Sequence, residues 1–347
     1  MIEVQKRIPM SHKSAVAEPG FPSAETDAEI LRFLVTYAIL APSSHNTQPW
    51  LFRIGEHSLE LIADRRRALP VVDPNDRALT ISCGAALEHL LVAARRFGRD
   101  LAIEERSNGA DPDLLATVRL AGMVTPSSED VALFEAIPNR ITTRTKYDKR
   151  ILPEQLLDAC RELASERGAE LTIVEEASQR AEIAELIAEG DRTQFDDPRF
   201  RRELAAWVHS RRAASRDGMS GESFGMPDLL SPVGALIIRT FDLGNGVAAG
   251  DRERILDGSP VLAVVGTAGD AARDWLAAGR ALSRMLLKLT ASGAMAAFLN
   301  QPIEVERLRP RLADAIGAST TPQLLMRFGY GKAATRSVRR PVEDVLI

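Results

Sequence analysis

The chain has 347 residues, 45% of them hydrophobic and 27% charged, so it can bury an ordinary globular core and lies outside the composition of disordered chains. Its 44 Lys and Arg against 48 Asp and Glu leave a formal charge of −4, which argues against a general nucleic-acid or anionic-membrane binder. No apolar run approaches bilayer length and the first 25 residues lack the apolar core of a secretory signal, so the expectation is a soluble, cytoplasmic protein of about two domains or one duplicated unit. Residues 1–23 mix Pro, Gly, Ser and charge without periodicity and read as a loose arm. Over residues 24–40, Ile30, Leu31, Phe33, Leu34, Tyr37, Ala38 and Leu40 form a helical stripe that stops before Pro42, because proline disfavours helix at the residue ahead of it. Residues 50–54 and 59–62 make a short hairpin about Gly55-Glu56. A buried helix follows over 81–97, closed by Gly98.

A repeat organises the rest. Residues 84–98 (GAALEHLLVAARRFG) lie over residues 279–293 (GRALSRMLLKLTASG) without a gap, with Gly84 on Gly279, Ala86 on Ala281, Leu87 on Leu282, Leu91 on Leu286 and Gly98 on Gly293. Each helix is followed by a short strand and then a Pro-led one, Pro112-Asp-Leu-Leu and Pro322-Gln-Leu-Leu. Two apolar helices ending in Gly can look alike by chance; the matching element downstream favours duplication. Residues 151–163 then match the 24–40 helix, and the second copy starts near Pro138. The expected architecture is α+β, with half-units at 24–137 and 138–347.

Several chemistries are excluded. His12, His45, His57, His89 and His209 form no HxxxH or His/Cys cluster, and Cys83 and Cys160 make no disulfide framework or CxxC knuckle, so no metal site is expected. Neither GxGxxG nor GxxxxGK[ST] occurs, and Gly218-Met-Ser-Gly-Glu is not GxSxG. Cys83 reads as a packed small hydrophobe.

Three segments remain. Ala41-Pro-Ser-Ser-His-Asn-Thr-Gln-Pro-Trp50 places hydroxyls and amides in one turn, suited either to local backbone capping or to a planar polar ligand. In extended backbone Arg140, Thr142 and Arg144 share a face, which makes either a solvated basic edge or a phosphate clamp of planar guanidinium forks. Ser337-Val-Arg-Arg-Pro341 adds a second basic cluster.

Residues 42–50 strongly resemble the SSxNxQPW signature of the FMN-dependent nitroreductase family, Arg140-Ile-Thr-Thr-Arg144 its RxSxR motif, and Arg339-Arg-Pro341 its C-terminal phosphate-binding arginine. Ordinary members are homodimers with FMN across the subunit interface. Here the first half keeps SSxNxQPW but lacks RxSxR, while the second keeps RxSxR and the terminal Arg but reads LASERGAELT over 163–172 where SSxNxQPW belongs. That pattern resembles the Acg-like fused branch and implies a nitroreductase-like pseudo-dimer with one FMN per chain. The resemblance implies that Pro42, Ser43, Ser44 and Asn46 border the flavin and that Arg140, Thr142, Arg144 and Arg339 hold its phosphate. Leu299, Asn300 and Gln301, in a loop that could equally be a polar turn before Pro302, would run along the ring edge, and Arg340 would face solvent. Residues 189–250 have no counterpart in the first half and form either a lid over the flavin or a surface decoration. The implied activity is electron transfer from NAD(P)H through the flavin to a small nitroaromatic or quinone-like acceptor, with no catalytic side chain; the alternative is flavin storage with little turnover. No nucleic-acid, membrane or metal partner is expected, and the chain is either a monomeric pseudo-dimer or part of a further homo-oligomer.

Overall fold

Thr26 fixes where the first helix begins. In the computed structural model, which describes residues 20–22, 26–105, 111–224 and 226–347, the Thr26 hydroxyl and Glu29 carboxylate cap each other's backbone, and α1 runs over Asp27–Ala38, just short of the expected stop. The expected arm, residues 1–23, lies outside the described residues except at 20–22, where Phe21 stacks on Phe97 with centroids 4.7 Å apart. The hairpin forms as β1 (Trp50–Ile54) and β2 (Leu59–Ala63). The next helix, α2 (Arg77–Arg96), starts ahead of the expected Ile81 because the Asp73 carboxylate accepts from the Ala78 and Leu79 N–H groups at 3.0 and 2.9 Å. Against expectation, α2 is long and apolar enough by length and composition to cross a membrane; its place at the buried centre of the fold accounts for that composition.

The first half continues through β3 (Arg99–Glu105), β4 (Leu114–Met123) and α3 (Ser128–Ala136). The second runs α4 (Glu154–Ser165), β5 (Ala169–Val174), α5 (Ala177–Asp196), α6 (Pro198–Ala206), α7 (Ser231–Thr240), α8 (Gly244–Asp257), β6 (Val261–Thr267), α9 (Ala272–Ala291), β7 (Met295–Phe298), α10 (Gln301–Glu304), α11 (Arg309–Ile316) and β8 (Thr321–Gly329). Each half holds one antiparallel sheet, in the orders β1-β2-β4-β3 and β5-β6-β8-β7, so the strands follow the same path twice. The halves differ at two connections, one of which carries α10 and α11 between β7 and β8 where only residues 106–113 separate β3 from β4. β1 turns directly into β2, whereas α5 to α8 stand between β5 and β6, and the added material begins ahead of residue 189.

The paired helices α2 and α9 meet where the repeat places its leading glycines. A Cβ built on Gly84 would strike the Leu276 carbonyl oxygen, and one on Gly279 the Ile81 carbonyl oxygen, so only glycine permits this approach. Gly98 and Gly293, at φ +72° and +74°, end the two helices alike. One apolar core packs α1, α2 and the first sheet, and another packs α4, α9 and the second. A large cavity opens beside this crossing.

Candidate functional site

The turn after α1 is built by its own side chains. His45, Asn46 and Gln48 have φ of +49°, +56° and +53°, a left-handed backbone that costs non-glycine residues on the order of 1–3 kcal/mol each and persists only where surroundings enforce it. Ser43 Oγ accepts from Gln48 N–H at 2.9 Å. The Asn46 amide donates to the Gly218 and Val338 carbonyls at 3.0 and 3.1 Å and accepts from Arg339 Nη1 at 2.9 Å. Fully buried Gln48 donates to Arg216 O at 3.0 Å and accepts from Arg340 N–H at 2.8 Å. One short turn therefore ties the first half to the α6–α7 connection and to the C-terminal segment. Arg67 reinforces the tie, bonding Thr47 O and Asp217 and lying 5.4 Å from the Trp207 ring centroid. Cys83 is a packed residue as expected, its thiol donating to Pro49 O at 3.2 Å.

The strand-like stretch after α3 supplies the basic side. Thr142 bridges Ala296 of β7, and the stretch is braced by buried Arg327, which donates to Thr145 O at 2.9 Å and lies over the Tyr147 ring at 4.4 Å. Tyr147 in turn donates to Thr143 O at 3.0 Å. Arg140 is buried, and burial together with neighbouring Arg336 brings its guanidinium down to about 10. Arg339 is lowered further by burial, Arg140 and Arg336 acting in the same direction. Among the described residues neither Arg140 nor Arg339 has an ion-pair partner, and the Nε of each is buried without a hydrogen bond. Arg144 is enclosed by protein yet presents its surface to the cavity. Arg340 corrects an expectation. It is buried rather than solvent-facing, because its guanidinium donates to Gln48 O at 3.1 Å and to Asp344 O.

The loop after β7 closes another side. Leu299 is buried, and its N–H joins Leu325 O at 2.9 Å. Asn300 Oδ1 accepts from Leu325 N–H at 2.9 Å, so its side chain is committed to the sheet. Gln301 Nε2 donates to Asp191 and Asp251 at 3.0 and 3.1 Å, and Pro302 sits in the first turn of α10.

All eleven residues expected at the site, Pro42, Ser43, Ser44, Asn46, Arg140, Thr142, Arg144, Leu299, Asn300, Gln301 and Arg339, line one cavity of about 990 Å³, near the top of the range of roughly 300–1,000 Å³ for small-molecule sites. The 189–250 segment lines it too, through Phe195, Phe200, His209, Met219 and Val247 among others. Among the lining residues that sequence reasoning missed, three are charged or titratable groups that bear on the chemistry. Arg336 belongs to the basic C-terminal run and could have been found there. His45 lies inside the quoted motif; burial and Arg144 bring its imidazole down to about 4, and its Nδ1 has no partner. Asp191 lies mid-helix with no local signal.

No family model matches the chain. It is 31% identical over 305 residues to "Putative NAD(P)H nitroreductase Rv3131" of Mycobacterium tuberculosis, spanning 88% of this chain and 86% of the relative. Its likeness to the acg protein of the same organism, whose name is also that of an NAD(P)H nitroreductase, is 27% over 347 residues, 93% of this chain and 97% of the relative. Among solved structures, the FMN-dependent nitroreductase NfnB from Mycobacterium smegmatis in complex with NADPH is 19% identical, with a TM-score of 0.38 over 61% of this chain and 93% of that one.

Proposed function

The chain belongs to the NAD(P)H nitroreductase family, and from that premise we propose that it binds one FMN in this cavity and passes electrons from NAD(P)H to a small nitroaromatic or quinone-like acceptor. The observation that carries the reading is the meeting of Arg140, Arg336 and Arg339 beside the 42–50 turn, with Arg140 buried, Arg339 half-buried, and neither Arg140 nor Arg339 holding a carboxylate partner among the described residues. A desolvated cationic cluster of this kind fits a phosphate dianion, and the two orphaned Nε groups fit added acceptor oxygens. FMN, when bound, supplies the redox chemistry. The chain's own residues bind, orient and exclude water. Arg140, Thr142, Arg144 and Arg339 hold the phosphate, while Pro42, Ser43, Ser44 and Asn46 border the ring. Leu299, Asn300 and Gln301 run along its edge, with Asn300 Oδ1 already engaged by Leu325 N–H. Two half-units, 24–137 and 138–347, thus complete one site between them, and residues 189–250 act as its lid.

A second reading, FMN storage with little turnover, is favoured by the insert itself, which lines so much of the cavity that a ring could be shut away from a stacking partner. Reconstitution with FMN followed by steady-state oxidation of NADH and NADPH with nitrofurazone or menadione decides between them. Turnover supports the first reading. Bound FMN without turnover moves the conclusion to storage, and a preparation that cannot take up FMN overturns both.

A further inference from the structure

Part of the cavity wall is acidic. Asp191 on α5, Asp251 on α8 and Glu304 on α10 all line it. Arg254 on α8 pairs with Asp251, and Glu304 accepts from Gln194 Nε2 at 2.8 Å. Asp191, 1% exposed, has no cation against it among the described residues. Its one bond is from Gln301 Nε2 to Oδ1, at 3.0 Å.

The unpaired atoms say what is missing. Asp191 Oδ2 and Gln301 Oε1 are both buried without a partner, and they belong to two groups already joined by that bond. If Asp191 is ionised, both atoms are acceptors and neither can be satisfied by the other. A proton on Oδ2 turns it into a donor, and an acid and an amide can then pair through two parallel hydrogen bonds. The electrostatics agree. Burial first, then Asp251 and Glu304, push the Asp191 carboxyl up to about 8, with Gln301 and Arg254 pulling back. Arg144 faces Asp251 from the cavity, and Glu189 on the same helix is engaged by Arg307 and Arg311.

We propose that Asp191 is a positioning residue whose protonated carboxyl locks Gln301, and with it the 299–301 loop, in the orientation that receives the cofactor ring, so that loss of one proton loosens FMN binding. The inference rests on the FMN reading above. No bond to the ligand is made or broken; a proton leaves Asp191 Oδ2 for solvent and the second bond, from Oδ2–H to Gln301 Oε1, is lost, while Gln301 Nε2 still donates to Oδ1 and two facing acceptor oxygens replace the lock.

Asparagine is the discriminating substitution, because its amide presents the donor and acceptor of the protonated acid and carries no charge. FMN affinity, read by flavin fluorescence on the full chain from pH 6 to 9.5, is expected to fall in the parent by up to about tenfold per pH unit above the break near 8. Asp191→Asn is expected to keep the low-pH affinity and lose the break. Asp191→Ala is expected to bind weakly at every pH, and Asp251→Asn to move the break downward by removing a like charge. A parent profile without a break, or an Asp191→Asn variant that keeps it or binds as poorly as Asp191→Ala, overturns the proposal. Thermal unfolding of the FMN-free chain separates this from the FMN reading. The native carboxyl lies above its unfolded value of 3.8, so the native state holds the extra proton, and the stability of the parent relative to Asp191→Asn should fall as pH rises from about 4 to 8. That trend is expected whether or not FMN binds, and its absence counts against the proposal alone.

Discussion

The two ends of the α2–α9 crossing are the same structure used in opposite ways. In the overlay that sets Gly84 on Gly279, Glu88 falls on Ser283 and His89 on Arg284. These equivalent positions pair across the crossing, His89 Nδ1 with Ser283 Oγ at 2.7 Å at one end and Arg284 with Glu88 at 3.3 Å at the other. At the first end His89 is kept neutral, brought down to about 3 by burial and by the field of Arg140, Arg339 and Arg336. At the second, Glu88 is fully buried among Arg167, Arg280 and Arg284 at 2.9, 3.4 and 3.3 Å. Burial works against ionisation there, but the three guanidiniums outweigh it and hold Glu88 below the usual carboxylate range. Arg167 comes from the 163–172 segment that stands where a second SSxN turn would fall. In the proposed reading one end keeps Arg140 and Arg339 for an outside anion; the other neutralises its arginines with its own carboxylate.

The comparison breaks most violently at Glu88. Glu88→Gln leaves three arginines around an uncharged amide, and unfolding in urea should show a loss of about 3–5 kcal/mol, the usual result of removing one partner from a buried ion cluster. Arg140→Ala should do the reverse. FMN affinity, measured by fluorescence titration, falls by about 1.5–3 kcal/mol, while the FMN-free chain melts no lower than the parent because a buried unpaired cation has been removed. A parent-like affinity in this variant removes the clamp. Two histidines, His89 buried and His45 half-buried, sharpen the contrast through pH. His45 and His89 lie at about 4 and about 3 in the native chain against 6.5 unfolded, so the native state binds fewer protons and stability falls as pH drops below 6.5. Each adds a slope of up to about 1.4 kcal/mol per pH unit, and His89→Asn should remove its share from a pH series of melting curves. The smallest effect belongs to Asn46→Ala, which unties the turn from Val338 and Arg339. FMN affinity should weaken by about 1–1.5 kcal/mol with a lesser change in the melting temperature of the FMN-free chain.

What the amino-acid sequence revealed was whatever chemistry is local. The 42–50 turn, the alternation at Arg140, Thr142 and Arg144, and the glycine-marked repeat are each carried within some ten or fifteen residues, and their residues line one cavity or one crossing. Glu88 could not be read that way, because an acid on an apolar helix shows its meaning only when Arg167, Arg280 and Arg284 arrive from elsewhere in the chain. Arg340 misled for the same reason: its basic run reads as surface, yet Gln48 draws it inward. Asp191 was invisible because its partners come from α8 and α10, far along the chain. The start of α2 moved because Asp73, outside the apolar stripe, caps it.

The most direct test of one open and one sealed end is the number of FMN molecules held by each chain, counted by native mass spectrometry of the reconstituted protein beside its Arg140→Ala variant. The account expects one FMN per chain in the parent and a depleted complex in the variant at the same FMN concentration. Two FMN per chain, or one that survives loss of Arg140 undiminished, would contradict it.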